Sequence, residues 1–250
     1  MVSMPHTIGF CALHYGKPYL ASAIRSVIDD VDAFYVIYSP IGSHGHHSNA
    51  VNPDTRDELY AIAQQAAGDK LKWFEGTFQH EGYQRDHIFT LAPDADAVIV
   101  VDSDEIYPDG LVRDLLEQTS AMHRRSIRVP FVHFWRSMYR AILHDPAYPV
   151  RLIYPHIQEG EETAHTRPIA HMGYAIPADL MAYKWTIHGH KNELRRDVDW
   201  FNDVFLANRQ HDTHPVGSTF WYPDPVDPFE MGLLPEWMSE HPYFNMDVIP

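Results

Sequence analysis

Asp102, Ser103, Asp104 and Glu105 place three carboxylates in four positions, directly after the β-favouring apolar run 98–101. On an extended or turning chain, residues two apart approach one point, so Asp102 and Asp104 can converge while Ser103 faces away or bonds the backbone. Two or three hard oxygens without a cysteine suit Mg2+ or Mn2+, an ion that can be shared with the phosphates of a ligand. An isolated Asp-Ser-Asp is more often a solvated turn or a helix cap. Yet a purely structural turn gains little from clustering three like charges at the end of an apolar strand.

The elements that must position these acids follow from periodicity. Residues 7–13 read as a buried strand, and Pro18 then opens a segment in which Leu20, Ile24, Val27 and Ile28 recur at helical spacing. Residues 33–38 form the next strand. The Gly/His/Ser/Asn stretch 41–52, with His44, His46 and His47, has no periodicity and reads as loop. Thr55 and Glu58 match a capping box for a helix ending near Ala67 and Gly68. A short strand over 71–74, a helix over 83–91 and a strand over 97–101 complete a β-α-β-α-β-α-β order. Such alternation implies a mostly parallel sheet with helices on both faces, whose ligands bind beyond the carboxyl ends of the strands. The acids stand at that end.

Beyond Gly110 a helix over 111–118 and a β-rich run over 126–135 lead into a less regular region dense in His and aromatics. From Pro215 onward seven of the nineteen prolines fall in 36 residues. That density rules out long helices, and an extended tail packed through Trp221, Phe229, Trp237 and Phe244 is expected.

Composition narrows the function classes. The 250 residues, 45% apolar and 21% charged, suffice for one compact globular domain. The expected division is a nucleotide-binding half over 1–112, an acceptor-side half over 113–214 and a tail over 215–250. There is no run of 18 uncharged apolar residues and no basic-then-apolar secretory layout, so a cytoplasmic protein without a membrane segment is expected. The single cysteine, Cys11, lies in an apolar run and reads as a buried small hydrophobe. A formal charge of −15 argues against broad contact with nucleic acid or anionic membrane, unless the basic segments 123–125 and 191–196 gather on one face.

Two segments resemble a known family. The stretch from Tyr15 and Gly16 through Leu20 to Val27 is similar to the first βα unit of the GT-A-fold, family-2-like nucleotide-sugar glycosyltransferases, in which a Tyr-Asn pair precedes a "YLxxAlxSv" helix. Gly82 to Ala92, followed by the strand running into Asp102 and Asp104, is similar to that family's "G-x-x-x-R-N" helix and its D-x-D strand. The resemblance covers roughly residues 6–112, and two segments matching in order and spacing are more specific than a D-x-D alone. It implies a GT-A (nucleotide-diphospho-sugar transferase) fold: a Rossmann-like, mostly parallel sheet with helices on both faces. It also implies a Mn2+- or Mg2+-dependent enzyme moving a hexose or pentose from a nucleotide-sugar, a UDP-sugar first, to an acceptor hydroxyl, with inversion. By the same resemblance Asp102 and Asp104 hold the metal on the donor diphosphate. Arg85, Asp86 and Ser103 shape the donor pocket, and Tyr15 lies beside the base. Gly16 and Ser39 stand where the family has Asn and Asp, and both positions bear on base recognition.

Family members often add a late histidine to the metal or phosphate site. His171 and His188 are the candidates, with His190 beside the latter across Gly189. Lys184 and Arg167 are candidate diphosphate contacts. A general base for the acceptor hydroxyl is an Asp or Glu; Glu161 and Asp199 are singled out, with Glu159, Glu162 and Asp197 nearby. Trp135, Trp185, Trp200 and Trp221 suit either stacking on a sugar or base, or core packing. The acceptor stays open among a glycan, a small metabolite, a protein and a modified base. Two alternatives stand beside the transferase. One is a His-based metal hydrolase, for which the H-E-x-x-H spacing is absent. The other is a catalytically silent sugar-nucleotide or glycan-binding module.

Overall fold

The computed structural model describes residues 5–42, 50–120, 125–157, 162–187, 193, 198–216 and 220–249. The first half alternates strand and helix in the expected order: β1 (Thr7–Leu13), α1 (Leu20–Arg25), β2 (Ala33–Tyr38), α2 (Arg56–Ala67), β3 (Leu71–Glu75), α3 (Glu81–Asp86), α4 (Ile88–Leu91) and β4 (Ala97–Val100). There follow β5 (Glu105–Ile106), α5 (Leu111–Ser120), β6 (Ser126–Arg128), β7 (Phe131–Trp135), β8 (Arg140–Ile142), β9 (Val150–Ile153), β10 (Glu162–Ala164), β11 (Ile169–Tyr174) and α6 (Ala178–Ile187). A wide helical turn, Trp200–Leu206, and β12 (Asp224–Pro225) precede the C-terminal segment.

Seven strands form the main sheet in the order β10-β6-β9-β4-β1-β2-β3. The strands β4, β1, β2 and β3 run parallel, and β9 enters antiparallel between β4 and β6. Alternate residues of β1 serve opposite faces. Cys11 and Leu13 join Leu20 and Ile24 of α1 and Leu59 and Ala63 of α2 in one core, while Ile8 and Phe10 join Ile88 of α4 in another. Helices therefore cover both faces, as a parallel sheet requires. The protein is mixed α/β with a mainly parallel central sheet. Thr55 and Glu58 close the capping box at the start of α2, the Thr55 hydroxyl accepting from Glu58 N–H and the Glu58 carboxylate accepting from Thr55 N–H. The single helix expected over 83–91 is instead two, α3 and α4, joined at His87. The run 126–135 is likewise two strands, because Val129 and Pro130 break it.

A second sheet, ordered β12-β8-β7-β11-β5, stands against the first. Its residues Phe134, Trp135, Ala141, Ala170 and Met172 belong to the same core cluster as α1 and α2. The tail closes over this sheet: Trp221 is 2% exposed, and Phe229, Trp237 and Phe244 pack on the core. Among the described residues no helix is long and apolar enough to cross a membrane. Cys11 is buried in β1.

Candidate functional site

The three acids separate into two roles. Asp102 spends both oxygens on guanidinium groups: Arg85 Nη2 donates to Oδ1 at 2.7 Å and Arg151 Nη2 to Oδ2 at 3.0 Å. Burial opposes ionisation of Asp102, but the two arginines outweigh it and hold its carboxyl below the usual range. Glu105, 1% exposed, accepts from the same Arg151 Nη2 and from the Asp102 N–H at 3.2 Å. Burial pushes the Glu105 carboxyl up to about 8 against the pull of Arg151. Arg85 and Arg151 thus tie Asp102 and Glu105 into one network below the strand end.

Asp104 faces the other way. Its Oδ2 lies 3.7 Å from His171 Nε2 and 3.4 Å from Lys184 Nζ. Backbone pairing creates this meeting, since β5 and β11 are antiparallel with Glu105 opposite His171, and Met172 N–H donates to Asp104 C=O at 2.7 Å. The register of β11 against β7 slips between His171 and Tyr174. Such a bulge re-aims side chains. At Gly173, inside it, a Cβ would sit 2.4 Å from His171 Cε1 and 2.7 Å from Lys184 Nζ, so only glycine lets both groups converge on Asp104. Lys184 Nζ also donates to Gly173 C=O at 3.2 Å and lies 5.4 Å from the centre of the Tyr174 ring. Burial, then His133 and Lys184, holds His171 well below its usual pKa, and its ring is therefore neutral.

The D-S-D turn rests directly on the first βα turn. Ser103 Oγ donates to Tyr15 C=O at 3.0 Å. Gly16 has φ +131°, and a Cβ there would lie 2.0 Å from Ser103 Oγ, which explains glycine at this position. The Gly16 and Lys17 N–H groups donate to Asp54 Oδ2 at 2.7 and 2.9 Å. Tyr15 is half-buried near the acids, and burial raises its phenol, with Asp104 adding to the effect.

Several expected site residues sit elsewhere. Asp102 is paired with Arg85 and Arg151, whereas Asp104 lies beside His171 and Lys184. Arg85 is itself committed to Asp102 and Glu81. The Ser103 hydroxyl is used by the Tyr15 carbonyl. Ser39 is 1% exposed and its hydroxyl is engaged with the Ile41 backbone, so it does not present itself to a base. Asp86 is exposed and lines a cleft of about 260 Å³ that Arg85 and Arg151 also line, with Phe10, Phe89 and Ile153. Asp199 caps the Trp200–Leu206 turn, accepting from Asn202 N–H at 3.2 Å and Asn202 Nδ2 at 2.7 Å; those bonds lower its pKa, the wrong direction for a base. Arg167 is tied to Asp114 and to Asp109 C=O. Glu162 pairs with Arg128. Trp135, Trp200 and Trp221 are core residues, and Trp185 packs on them. Glu159, Glu161, His188, His190, Asp197, His44, His46, His47 and most of the two basic segments lie outside the described residues.

Sequence reasoning missed Arg151, His133 and Asp145. No local signal marks them: Arg151 and His133 arrive on paired strands, β9 and β7, and Asp145 lies in the segment between β8 and β9.

The residues fit a divalent ion in one way. Among the described residues no three His, Cys, Asp or Glu side chains converge on one point. Asp104 supplies a hard oxygen and His171 a neutral nitrogen, and Mg2+ or Mn2+ commonly takes one or two protein ligands, completing its shell with water and substrate phosphate.

The chain matches no family model and no curated protein sequence. Solved structures with partial likeness include glucosyl-3-phosphoglycerate synthase from Mycobacterium tuberculosis with Mg2+ and uridine-diphosphate: 14% identity, 51% of this chain, 44% of that chain, TM-score 0.35. S. aureus TarS 1-349 matches at 11% identity over 72% of this chain and 64% of that one, TM-score 0.43. A 4-diphosphocytidyl-2C-methyl-D-erythritol synthase from Anaerococcus prevotii matches at 12% over 62% and 66%, TM-score 0.35. The chain spans under half the length of the mycobacterial structures. Likeness of this size concerns part of the fold, and the site is read from its own residues.

Proposed function

We propose that the chain is a metal-dependent glycosyltransferase that moves a sugar from a nucleotide-sugar, a UDP-sugar first, to an acceptor hydroxyl. The observation that carries this reading is the convergence of Asp104, His171 and Lys184 beyond the carboxyl end of β4, where ligands of open α/β sheets bind. Asp104 and His171 would hold Mn2+ or Mg2+, which when bound offsets the negative charge on a departing diphosphate. Lys184 supplies a fixed positive charge toward the same diphosphate oxygens. Half-buried Tyr15 walls the donor side. Arg85, Arg151, Asp102 and Glu105 hold the turn from below and keep Asp104 aimed outward. Glu161 remains the candidate general base, and inversion, the acceptor and a cytoplasmic setting belong to this proposal.

Calorimetric titration with UDP tests it. UDP is expected to bind with Mn2+ and to lose most of its affinity in chelator, and Asp104→Ala is expected to bind weakly in both. Equal affinity of wild type and variant with Mn2+ present refutes the reading. Tight Zn2+ without UDP binding would point to the hydrolase, and UDP-sugar binding without turnover to the silent module.

A further inference from the structure

A pocket of about 490 Å³ opens where β7 and β11 begin, and the chemistry proposed so far makes no use of it. Its size falls in the range of small-ligand sites, roughly 300–1,000 Å³. Pro130 and Pro168 immediately precede the two strands, and Ile169 N–H donates to Pro130 C=O at 2.9 Å, which fixes the strand starts side by side. The segment between β8 and β9 adds Leu143 and Tyr148 to the lining.

The pocket adjoins the cluster around Asp104. Phe131 is the shared wall: it lines the pocket, and its ring stacks on His171 with centroids 5.1 Å apart. Phe131 and Ile169 are paired in register, and His133 and His171 form the pair two residues further on. At about 3.3 Å of rise per residue, the strand starts lie roughly 7 Å from His171. A molecule held here would lie beside a donor at Asp104 and His171, not on top of it.

The walls select an occupant. Leu143, the prolines and Tyr148, which is 40% exposed, offer C–H and ring surfaces. Thr166, His144 and Asp145 offer polar groups. The Asp145 oxygens already lie 2.6 Å from Ala147 N and 2.8 Å from His133 Nε2. Burial disfavours its charge, but those contacts hold its carboxyl below the usual range, so it is ionised. Among the described lining residues there is no lysine or arginine, and the nearby Arg128 is tied to Glu162 and to Tyr148 C=O. A phosphate or carboxylate would therefore face a like charge without a matching cation. An uncharged ring with C–H groups on its faces and hydroxyls on its rim meets both kinds of wall.

We propose that this pocket is the acceptor subsite and that it takes a neutral pyranose, the sugar ring of a glycan, in preference to a phosphorylated or carboxylated acceptor. The proposal rests on the transferase reading above and narrows its acceptor.

Saturation-transfer NMR on the full chain tests it, titrating the methyl pyranosides of glucose, galactose, mannose and N-acetylglucosamine, with glucose 6-phosphate beside them. At least one neutral pyranoside is expected to bind, and more tightly than glucose 6-phosphate. Tyr148→Ala should weaken it about fivefold or more. Tyr83→Ala, which removes a tyrosine 65% exposed outside the pocket, should leave it unchanged. Binding of none of the four, tighter binding of the phosphate ester, or equal binding by Tyr148→Ala and wild type overturns the proposal. The titration is repeated with Mn2+ and UDP-glucose, where the pyranoside should still bind; its displacement would assign the pocket to the donor sugar and overturn the acceptor role. Pyranoside binding through Tyr148 in a chain that binds no UDP with Mn2+ upholds the sugar site and removes the transferase reading. UDP binding with Mn2+ but no pyranoside binding does the reverse.

Discussion

Asp104 Oδ2 and His171 Nε2 stand 3.7 Å apart although 67 positions separate them in the chain. Their approach is written into a backbone pairing, since β5 places Glu105 opposite His171. The pairing is only two residues long. Its effect depends on Gly173 giving the side chains room.

Gly173→Ala is therefore expected to damage the site more than the fold. The added Cβ would meet His171 at 2.4 Å and the Lys184 ammonium at 2.7 Å. Overpacking costs about 1–3 kcal/mol. A lowered melting temperature together with at least a tenfold loss of Mn2+–UDP affinity is the expected result. Unchanged Mn2+–UDP affinity would show that His171 and Lys184 do not act together.

Arg151→Met tests the network around Asp102 and Glu105. It leaves Glu105 buried without its cation and removes one of the two guanidiniums on Asp102. Breaking a buried ion pair on one side costs about 3–5 kcal/mol, whereas replacing both partners with apolar groups is often neutral. Chemical denaturation should show that loss for Arg151→Met and recovery of most of it in Arg151→Met with Glu105→Leu. A double variant no more stable than the single one would mean that the pair does not act as a unit.

The local part of this arrangement was legible in the sequence. β1, β2 and β4 read as apolar runs, the capping box of α2 was visible in Thr55 and Glu58, and the acids fell at a strand end where ligands bind. Arg151 was not legible, because it arrives on β9, which slots between β4 and β6 without any signal in its own periodicity. His171 was one candidate of two among eighteen histidines. The register of β11 against β5 and β7 is what brings it to Asp104, and register is a property of two strands at once. The pairing of Asp102 with Arg85 and Arg151 was not legible for the same reason: a D-x-D spacing tells which carboxylates are near, not which guanidiniums they meet.

Acid should destabilise the protein through the buried His14 and the half-buried His241. His14, 8% exposed, contacts Ser39 C=O and Tyr183 Oη at 2.7 Å each, and His241 contacts Pro18 C=O at 2.9 Å. Burial lowers the pKa of both below 6.5. Between the lowered folded values and 6.5 the unfolded chain binds more protons, so this stability is present above pH 6.5 and is lost as the pH falls through the folded values. Melting temperatures should hold near neutrality and decline on acidification below 6.5, with a shallower decline in His14→Asn/His241→Asn. An identical slope in that variant would move the effect to other groups.

Lys184→Met separates charge from packing. The lysine stem is buried, and its ammonium lies 3.4 Å from Asp104 and 3.2 Å from Gly173 C=O. Met keeps the apolar stem. Hydrogen bonds to charged groups are worth about 1.5–3 kcal/mol, so UDP affinity with Mn2+ should fall roughly ten- to a hundredfold while the melting temperature changes little. Lys184→Arg should restore only part of the loss, because a planar guanidinium does not take the place of a compact ammonium beside the Gly173 bulge. The same variants with uridine, which lacks phosphate, give the control: its weaker binding should be indifferent to residue 184. If uridine and UDP lost affinity in parallel, Lys184 would be shaping the pocket and not meeting the diphosphate.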